Sequence, residues 1–288
     1  MRLQAGQTAL VTGASRGLGV EIARRLAERG LDLMLTARSG VALEAVAAEL
    51  RASTGRAVTP LVADVADPAA IARLAAQVEA AGGADVLVNN AGVESTLAYD
   101  LRDEADIAGT LMVNLTGPML LTRALLPGMI ARGRGHVVNV ASVAGMLAVP
   151  FNEPYCASKF GLVGFTRSLR LTARASSWPV SASALCPGFI GGAGLFEDLS
   201  REHGIAPEGL GVCPLEAVGP AVIRAIEDDL ADVFVTSGDP RPFAAAAVAD
   251  PAAVEAGALH APAARMFQAI AHSRAEGIRA ERTRAGTA

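Results

Sequence analysis

Of the 25 basic side chains in this 288-residue chain, one is a lysine, Lys159, and all the others are arginines. The chain has two tyrosines, Tyr99 and Tyr155, and the second lies four residues before that lysine. Random placement would set the lysine four after a tyrosine in roughly one draw of 140, below the usual false-positive rate of a short motif. Arginine is a permanently charged fork, whereas lysine is a compact point charge whose pKa shifts readily. On a helix the two residues stand at i and i+4 and share a face. A free tyrosine titrates at about pH 10, and a neighbouring ammonium favours its phenolate. The pair therefore reads as acid/base chemistry. A buried tyrosine with a satisfied hydroxyl would explain Tyr155, but not the lone lysine.

A second chemical signal lies near the N-terminus. Thr12-Gly13-Ala14-Ser15-Arg16-Gly17-Leu18-Gly19 follows an apolar run at 8–12 and opens a helical pattern at Val20-Glu21-Ile22. Among 30 glycines the spacing alone is weak; between a strand and a helix it is strong. Glycines there let the backbone turn tightly and approach a pyrophosphate that rests on helix N-terminal amides. The end of the second strand then selects the dinucleotide, because an acid there would bond the ribose hydroxyls of NAD. Here it reads Leu35-Thr36-Ala37-Arg38-Ser39, and the only nearby acid, Asp32, stands at the strand's beginning. Arg38 and Arg16 bracket a 2′-phosphate through charge-assisted forked bonds, which predicts NADP(H) in preference to NAD(H). The alternative is that both arginines are solvated surface groups. Asp64-Val65 follows the third strand, where a carboxylate accepts the adenine amino group. Asn89-Asn90-Ala91-Gly92 follows the fourth, where two of five asparagines adjoin small residues that open the backbone to a ribose.

Groups so far apart in sequence need a frame that gathers strand ends. Short apolar, β-branched runs fall at 8–12, 31–36, 57–63, 86–89, 136–140, 180–186 and 233–235. Amphipathic segments lie between them, near 17–30, 41–52, 68–81, 103–131, 155–176 and 215–228. Strands apolar on both faces predict a parallel sheet covered by helices on each side. The alternation predicts right-handed crossovers and an α/β, doubly wound sheet, with ligands at the carboxyl ends of its strands. After Asp239 the texture changes. Residues 241–264 are Ala- and Pro-rich, and 263–284 carries Met266, Phe267, Ile270 and Ile278 among five arginines. Two readings stand for this Ala/Arg-rich helical extension over 241–288. Its apolar stripe packs on the body or a sister subunit, or it is a basic amphipathic membrane anchor.

Bulk composition narrows the classes. Half the residues are apolar and only 4% aromatic, so Ala, Val, Leu and Ile build the core. A charged fraction of 19% with clear periodicity excludes disorder as the main state. A net charge of −4 gives no support for a nucleic-acid-binding surface. Three cysteines without C-x-x-C spacing argue against a disulfide framework or structural zinc, and for a reducing, cytoplasmic setting. Four scattered histidines lack metal-ligand spacing, so no metal is expected. The start, Met-Arg-Leu-Gln-Ala-Gly, leaves no room for a signal peptide. The apolar stretch 111–130, broken by Asn114, Pro118, Arg123 and Pro127, reads as a buried helix rather than a membrane span.

With Thr12-Gly13-x-x-x-Gly17-x-Gly19, Asp64, Asn89-Asn90-Ala91-Gly92, Asn114, Ser142, Tyr155-x-x-x-Lys159 and Pro187-Gly188 in order, the sequence resembles the classical short-chain dehydrogenase/reductase family over roughly residues 6–240. The resemblance implies one Rossmann-like catalytic domain over 1–240 with about seven parallel strands. It also implies a homodimer or homotetramer packed through the helices near 103–131 and 155–176. Tyr155 then gives its proton to the substrate oxygen as hydride reaches the carbonyl carbon, and Lys159 also bonds the nicotinamide ribose. Ser142 orients the same oxygen, and Asn114 matches a residue that holds a water beside the lysine. The expected cofactor contacts are Gly13, Ser15, Arg16, Gly17, Leu18, Gly19, Arg38, Ser39, Asp64, Val65, Asn90, Ala91, Gly92, Tyr155, Lys159, Pro187, Gly188 and Ile190.

Two departures stand out. Family members place a threonine shortly after the Pro-Gly turn to hold the nicotinamide carboxamide. Here the run is Pro187-Gly188-Phe189-Ile190-Gly191-Gly192, which leaves that contact to backbone amides. The chain also continues about fifty residues past the family's usual end. The substrate walls are expected at Val93-Glu94, Ala144-Gly145-Met146, Val149, Phe151-Asn152 and a lid over 188–213. Most of these are apolar, which favours a fairly apolar ketone, aldehyde or secondary alcohol. Cys156 reads as a core residue rather than a nucleophile. A non-catalytic NADP(H)-binding regulator or scaffold is the rival from another class, and an epimerase or dehydratase on the same scaffold is a second.

Overall fold

The computed structural model describes residues 1–192, 197, 201–203 and 210–286. The seven apolar runs become strands with few exposed positions, the pattern of a sheet covered on both faces. In chain order the strands are β1 (Thr8–Thr12), β2 (Asp32–Ala37), β3 (Val58–Val62), β4 (Val86–Asn89), β5 (Gly135–Val140), β6 (Val180–Pro187), β7 (Ile190–Gly191), β8 (Cys213–Pro214) and β9 (Asp232–Val235). The main sheet runs β3-β2-β1-β4-β5-β6-β9, every pair parallel. Winding proceeds outward from β1 through β3, then restarts at β4 on the other side of β1. The β1/β4 junction is therefore the switch point where a crevice opens.

Helices cover both faces. α1 (Leu18–Glu28) and α2 (Gly40–Thr54) bury Ile22, Leu26, Leu43 and Leu50 against Val11, Leu35 and Val88. α3 (Pro68–Ala80) and the helix pair α4 (Glu104–Leu111) and α5 (Gly117–Ala131) lie on the opposite face, with α6 (Glu153–Ala175). There Ile71, Leu74, Leu121 and Leu125 pack on Leu10, Leu87 and Val137. α7 (Val218–Glu227) returns to the first face through Val222 and Ile226.

The sequence predicts one helix over 103–131; the structure divides it. Between α4 and α5, Met112–Thr116 forms a π-helical turn closed by a bond from the Gly117 amide to the Met112 carbonyl. Such turns insert a residue and re-aim the side chains around it. Asn114 lies inside this one, fully buried.

The extension is helical: α8 (Arg241–Ala249), α9 (Pro251–Ala258) and α10 (Pro262–Gly286). Its apolar stripe is used within the chain, since Met266, Phe267 and Ile270 are buried against Val149, Phe151, Phe189 and Leu210. Among the described residues no helix is long and apolar enough to cross a membrane. The lid expected over 188–213 lies partly outside the described residues. Its two ends, β7 and β8, pair in parallel.

Candidate active site

The start of α6 gathers the acid/base candidates. Pro154 in the first turn suits a position whose amide has no helical partner. Asn152 precedes it with its side chain buried, accepting from Thr96 Oγ1 at 3.1 Å and donating to Pro150 O at 3.3 Å. One turn apart on that helix, the Lys159 ammonium lies 5.5 Å from the centroid of the Tyr155 ring. Lys159 is buried, and its Nζ donates to the Val140 carbonyl at the end of β5 (2.9 Å). Ser142, two residues past β5, accepts from the Ala144 amide (3.1 Å) and donates to Pro187 O (3.4 Å), tying the ends of β5 and β6 together. Asn114 grips the Val93 backbone at both atoms, accepting from its amide and donating to its carbonyl at 2.8 Å each. It also donates to Ser158 Oγ (3.2 Å), which in turn donates to Tyr155 O (2.7 Å). The π turn thus locks the strand-end segment after Gly92 to the first turn of α6.

Burial dominates the electrostatics. It lowers the Lys159 ammonium to about 8, against the opposing charge of Glu94. It also raises the Tyr155 phenol above its ordinary value, reinforced by the Glu94 charge and opposed by the Ser142 hydroxyl. The expected downward pull of the ammonium on the phenol is therefore outweighed in the protein alone, because desolvation disfavours phenolate more strongly. Glu94 itself is raised to about 7 by burial, while Lys159 and Arg274 hold it back.

A single cavity of about 640 Å³ joins this cluster to the glycine loop, a volume typical of small-molecule sites. Gly13, Ser15, Arg16, Gly17 and Leu18 line it with Arg38, Ser39, Asp64 and Val65. Asn90, Ala91, Gly92, Ser142, Tyr155, Lys159, Pro187, Gly188 and Ile190 continue the wall. Two expected site residues, Gly19 and Asn114, do not line it among the described residues and act behind it. A Cβ on Gly19 would fall 2.4 Å from Gly13 O, and one on Gly13 would fall 2.8 Å from Ala91 Cα. The loop is thus packed as tightly as glycine permits, and no side chain caps α1 at Gly17. That cradle fits a pyrophosphate on helix amides. Asp32, the acid at the wrong end of β2, is engaged by Arg56 at 2.7 Å.

Several supporting contacts, and Arg102 itself, escaped the sequence reading. Asn89 points away from the cavity, donating to Thr122 Oγ1 (3.2 Å) and Asn139 Oδ1 (2.8 Å) in the buried interior, so only Asn90 of the pair faces the crevice. Asn90 Nδ2 bonds Thr12 O (2.9 Å), and Thr12 Oγ1 receives the amides of Asn90 and Ala91. Arg102, with its side chain 1% exposed, donates to the carbonyls of Ser95 and Phe151 and fixes two walls at once. Its signal in sequence is nil, since one arginine among two dozen looks like another. Of the expected substrate walls, Val93, Glu94, Ala144, Val149, Asn152 and Phe189 line the cavity, joined by Leu147 and the C-terminal residues Phe243, Ala264 and Phe267. Gly145, Met146 and Phe151 do not. Cys156 is buried, and its thiol is pushed up to about 11.

Comparison with known proteins places the chain in a family. Residues 7–203 match the family model for short chain dehydrogenases. The chain is 37% identical over 231 residues to the ketoacyl reductase HetN of Nostoc sp., covering 80% of this chain and 78% of that protein. It is similar to a metagenomic short-chain oxidoreductase solved with NADP, at 34% identity and a TM-score of 0.68, covering 81% of this chain and 97% of that one. A Burkholderia phymatum short-chain dehydrogenase/reductase solved with NAD shares 28% identity at a TM-score of 0.74, covering 85% and 93%. The chain belongs to the classical short-chain dehydrogenase/reductase family of oxidoreductases.

Proposed function

We propose that the chain interconverts a ketone or aldehyde and the corresponding alcohol with NADP(H), using Tyr155 as acid/base. One observation carries the reading: Tyr155, Lys159 and Ser142 stand in the same cavity whose far end presents Arg16 and Arg38. When bound, the dinucleotide supplies or takes up hydride at the carbonyl carbon. In reduction the buried phenol, held protonated at neutral pH, donates its proton to the carbonyl oxygen. The Ser142 hydroxyl bonds the same oxygen and restricts its orientation. In oxidation the Lys159 ammonium and the cofactor's positive ring favour phenolate. Lys159 also bonds the nicotinamide ribose, and Asn114 holds the frame in which both groups stand. Arg38, supported by Arg16, favours a 2′-phosphate, so NADP(H) is preferred even though relatives solved with either dinucleotide occur.

The substrate side is mostly apolar, and the ketoacyl reductase name of the Nostoc relative fits reduction of a carbonyl carried on an apolar body. An apolar groove lined by Leu126 and Ile130 of α5, Phe165 and Leu169 of α6 and Trp178 just after α6 suits a homodimer or homotetramer. Three free cysteines suit the cytoplasm. The test is NADPH absorbance over a panel of ketones and aldehydes. Substrate-dependent NADPH loss is expected; cofactor binding without turnover on any of them would favour the regulator reading. In a fluorescence titration, NADH binding more tightly than NADPH would refute the NADP assignment.

A further inference from the structure

Glu94 stands two residues past Gly92, where the cofactor end of the cavity gives way to apolar walls. Its backbone is held from three directions. Asn114 grips Val93 on one side, and Arg102 bonds the carbonyl of Ser95 on the other. Arg274, reaching in from α10, donates to Thr96 O at 3.2 Å. The backbone that carries this carboxylate is thereby fixed at the cavity wall.

Ser142, Asn152, Tyr155 and Lys159 also line this cavity, but none of them bonds the Glu94 carboxylate. Val149, Phe189, Ala264 and Phe267 line the same space without a polar side-chain atom. Glu94 feels the charges of Lys159 and Arg274. Among the described residues, however, no hydrogen bond or ion pair meets its carboxylate. Glu94 is half-buried, and an unpartnered acceptor on a cavity wall marks a place where a ligand supplies the missing donor. The C-terminal segment helps to build this arrangement. It provides both the apolar wall of Ala264 and Phe267 and the Arg274 clasp on the segment that carries Glu94.

We propose that Glu94 accepts a hydrogen bond from the substrate. The compartment then takes an otherwise apolar carbonyl compound that carries a hydroxyl or amine N–H at a second position. This rests on the carbonyl-reducing reading of the site. Glu94 is a specificity-determining residue in this scheme, and the extension is the wall that makes the rest of the substrate apolar.

The experiment uses three matched aryl ketones, one without a donor, one with a hydroxyl and one with an amine. Turnover and equilibrium binding to the NADPH-loaded full-length protein are measured for wild type, Glu94→Gln and Glu94→Ala. Measured above the Glu94 carboxyl value of about 7, wild type is expected to bind the donor-bearing ketones about tenfold more tightly, the effect of a hydrogen bond to a charged group. Glu94→Ala abolishes that preference through KM rather than kcat. Glu94→Gln retains an acceptor oxygen without the charge, so it keeps a reduced preference for both donor-bearing ketones. NADPH affinity, followed by fluorescence, checks that each variant is folded. An equal loss across all three ketones, or a change confined to kcat, would overturn the proposal and assign Glu94 to proton handling beside Lys159. If no ketone is turned over yet donor-dependent binding vanishes in Glu94→Ala, the carbonyl-reducing reading fails and the acceptor role stands.

Discussion

At one end of the cavity, Gly13, Arg38, Asp64 and Asn90 each fall within two residues of the carboxyl end of a strand. At the other end, Glu94, Val149, Phe189 and Phe267 come from three loops and the terminal helix α10. The first end is made by the sheet itself. Parallel strands deliver their loops to one edge, and the winding reversal beside β1 opens the crevice. The second end is made by packing between segments from 40 to 173 residues apart, so its shape follows from contacts and not from local pattern. Chemistry common to a family sits at the first kind of site, and selectivity sits at the second.

Substitutions that respect this division should show it. The largest effect is expected where both ends meet. Tyr155→Phe removes the proton donor while keeping the ring, so turnover should fall by about 10²- to 10⁴-fold. NADPH binding, followed by fluorescence, should stay intact; full activity would sink the acid/base assignment. Lys159→Arg keeps the charge but brings a planar fork into a buried space shaped for an ammonium bonded to Val140 O. Loss of a charged hydrogen bond there should cost about 10- to 100-fold in kcat/KM. Wild-type rates would return the lone lysine to accident.

Arg38→Ala probes the far end alone. It should weaken NADPH by about tenfold or more while leaving NADH affinity nearly unchanged, because the lost contact is to a phosphate that NADH lacks. Equal weakening of both dinucleotides would show that Arg38 supports the loop rather than the 2′-phosphate.

How much of this could be read beforehand follows the same line. The seven main strands are legible because each is a short apolar run between amphipathic segments, and the glycine loop, Arg38, Ser142, Tyr155 and Lys159 are legible because motifs and strand ends carry them. The π turn at 112–116 is not, since its period differs from an α-helix by one residue over a single turn. Asn89 and Asn90 look equivalent in sequence, yet alternation along a strand sends neighbours to opposite faces. Arg102 and Arg274 are invisible among two dozen arginines until the fold buries one and aims the other at Thr96. Phe267 reads as a helix stripe in either case; only the tertiary contact with Val149 and Phe189 makes it a cavity wall.

The smallest expected effect is the one that isolates the substrate end without any ligand. Burial raises the Glu94 carboxyl to about 7, with Lys159 from α6 and Arg274 from α10 opposing the rise. An acid whose folded pKa lies above its unfolded one carries no penalty below the unfolded value, where both states are protonated. As pH rises toward the folded value, the unfolded chain releases the proton while the native protein keeps it, so stability falls across that window. Above it the penalty is complete. Glu94→Gln removes the titration and keeps the shape, so the variant should match wild type near the unfolded carboxyl pKa and melt higher at about pH 8. A tenfold change in proton affinity between the two states corresponds to about 1.4 kcal/mol. Partial contact with the open cavity reduces what is realised, so a gain of about 1–2 kcal/mol, or a few degrees in Tm, is the expected scale. Thermal melts of both proteins across that range read it directly. A difference that does not change with pH would mean that Glu94 is solvated, and the contrast between a charged, sheet-built cofactor end and a desolvated, packing-built substrate end would lose its physical basis.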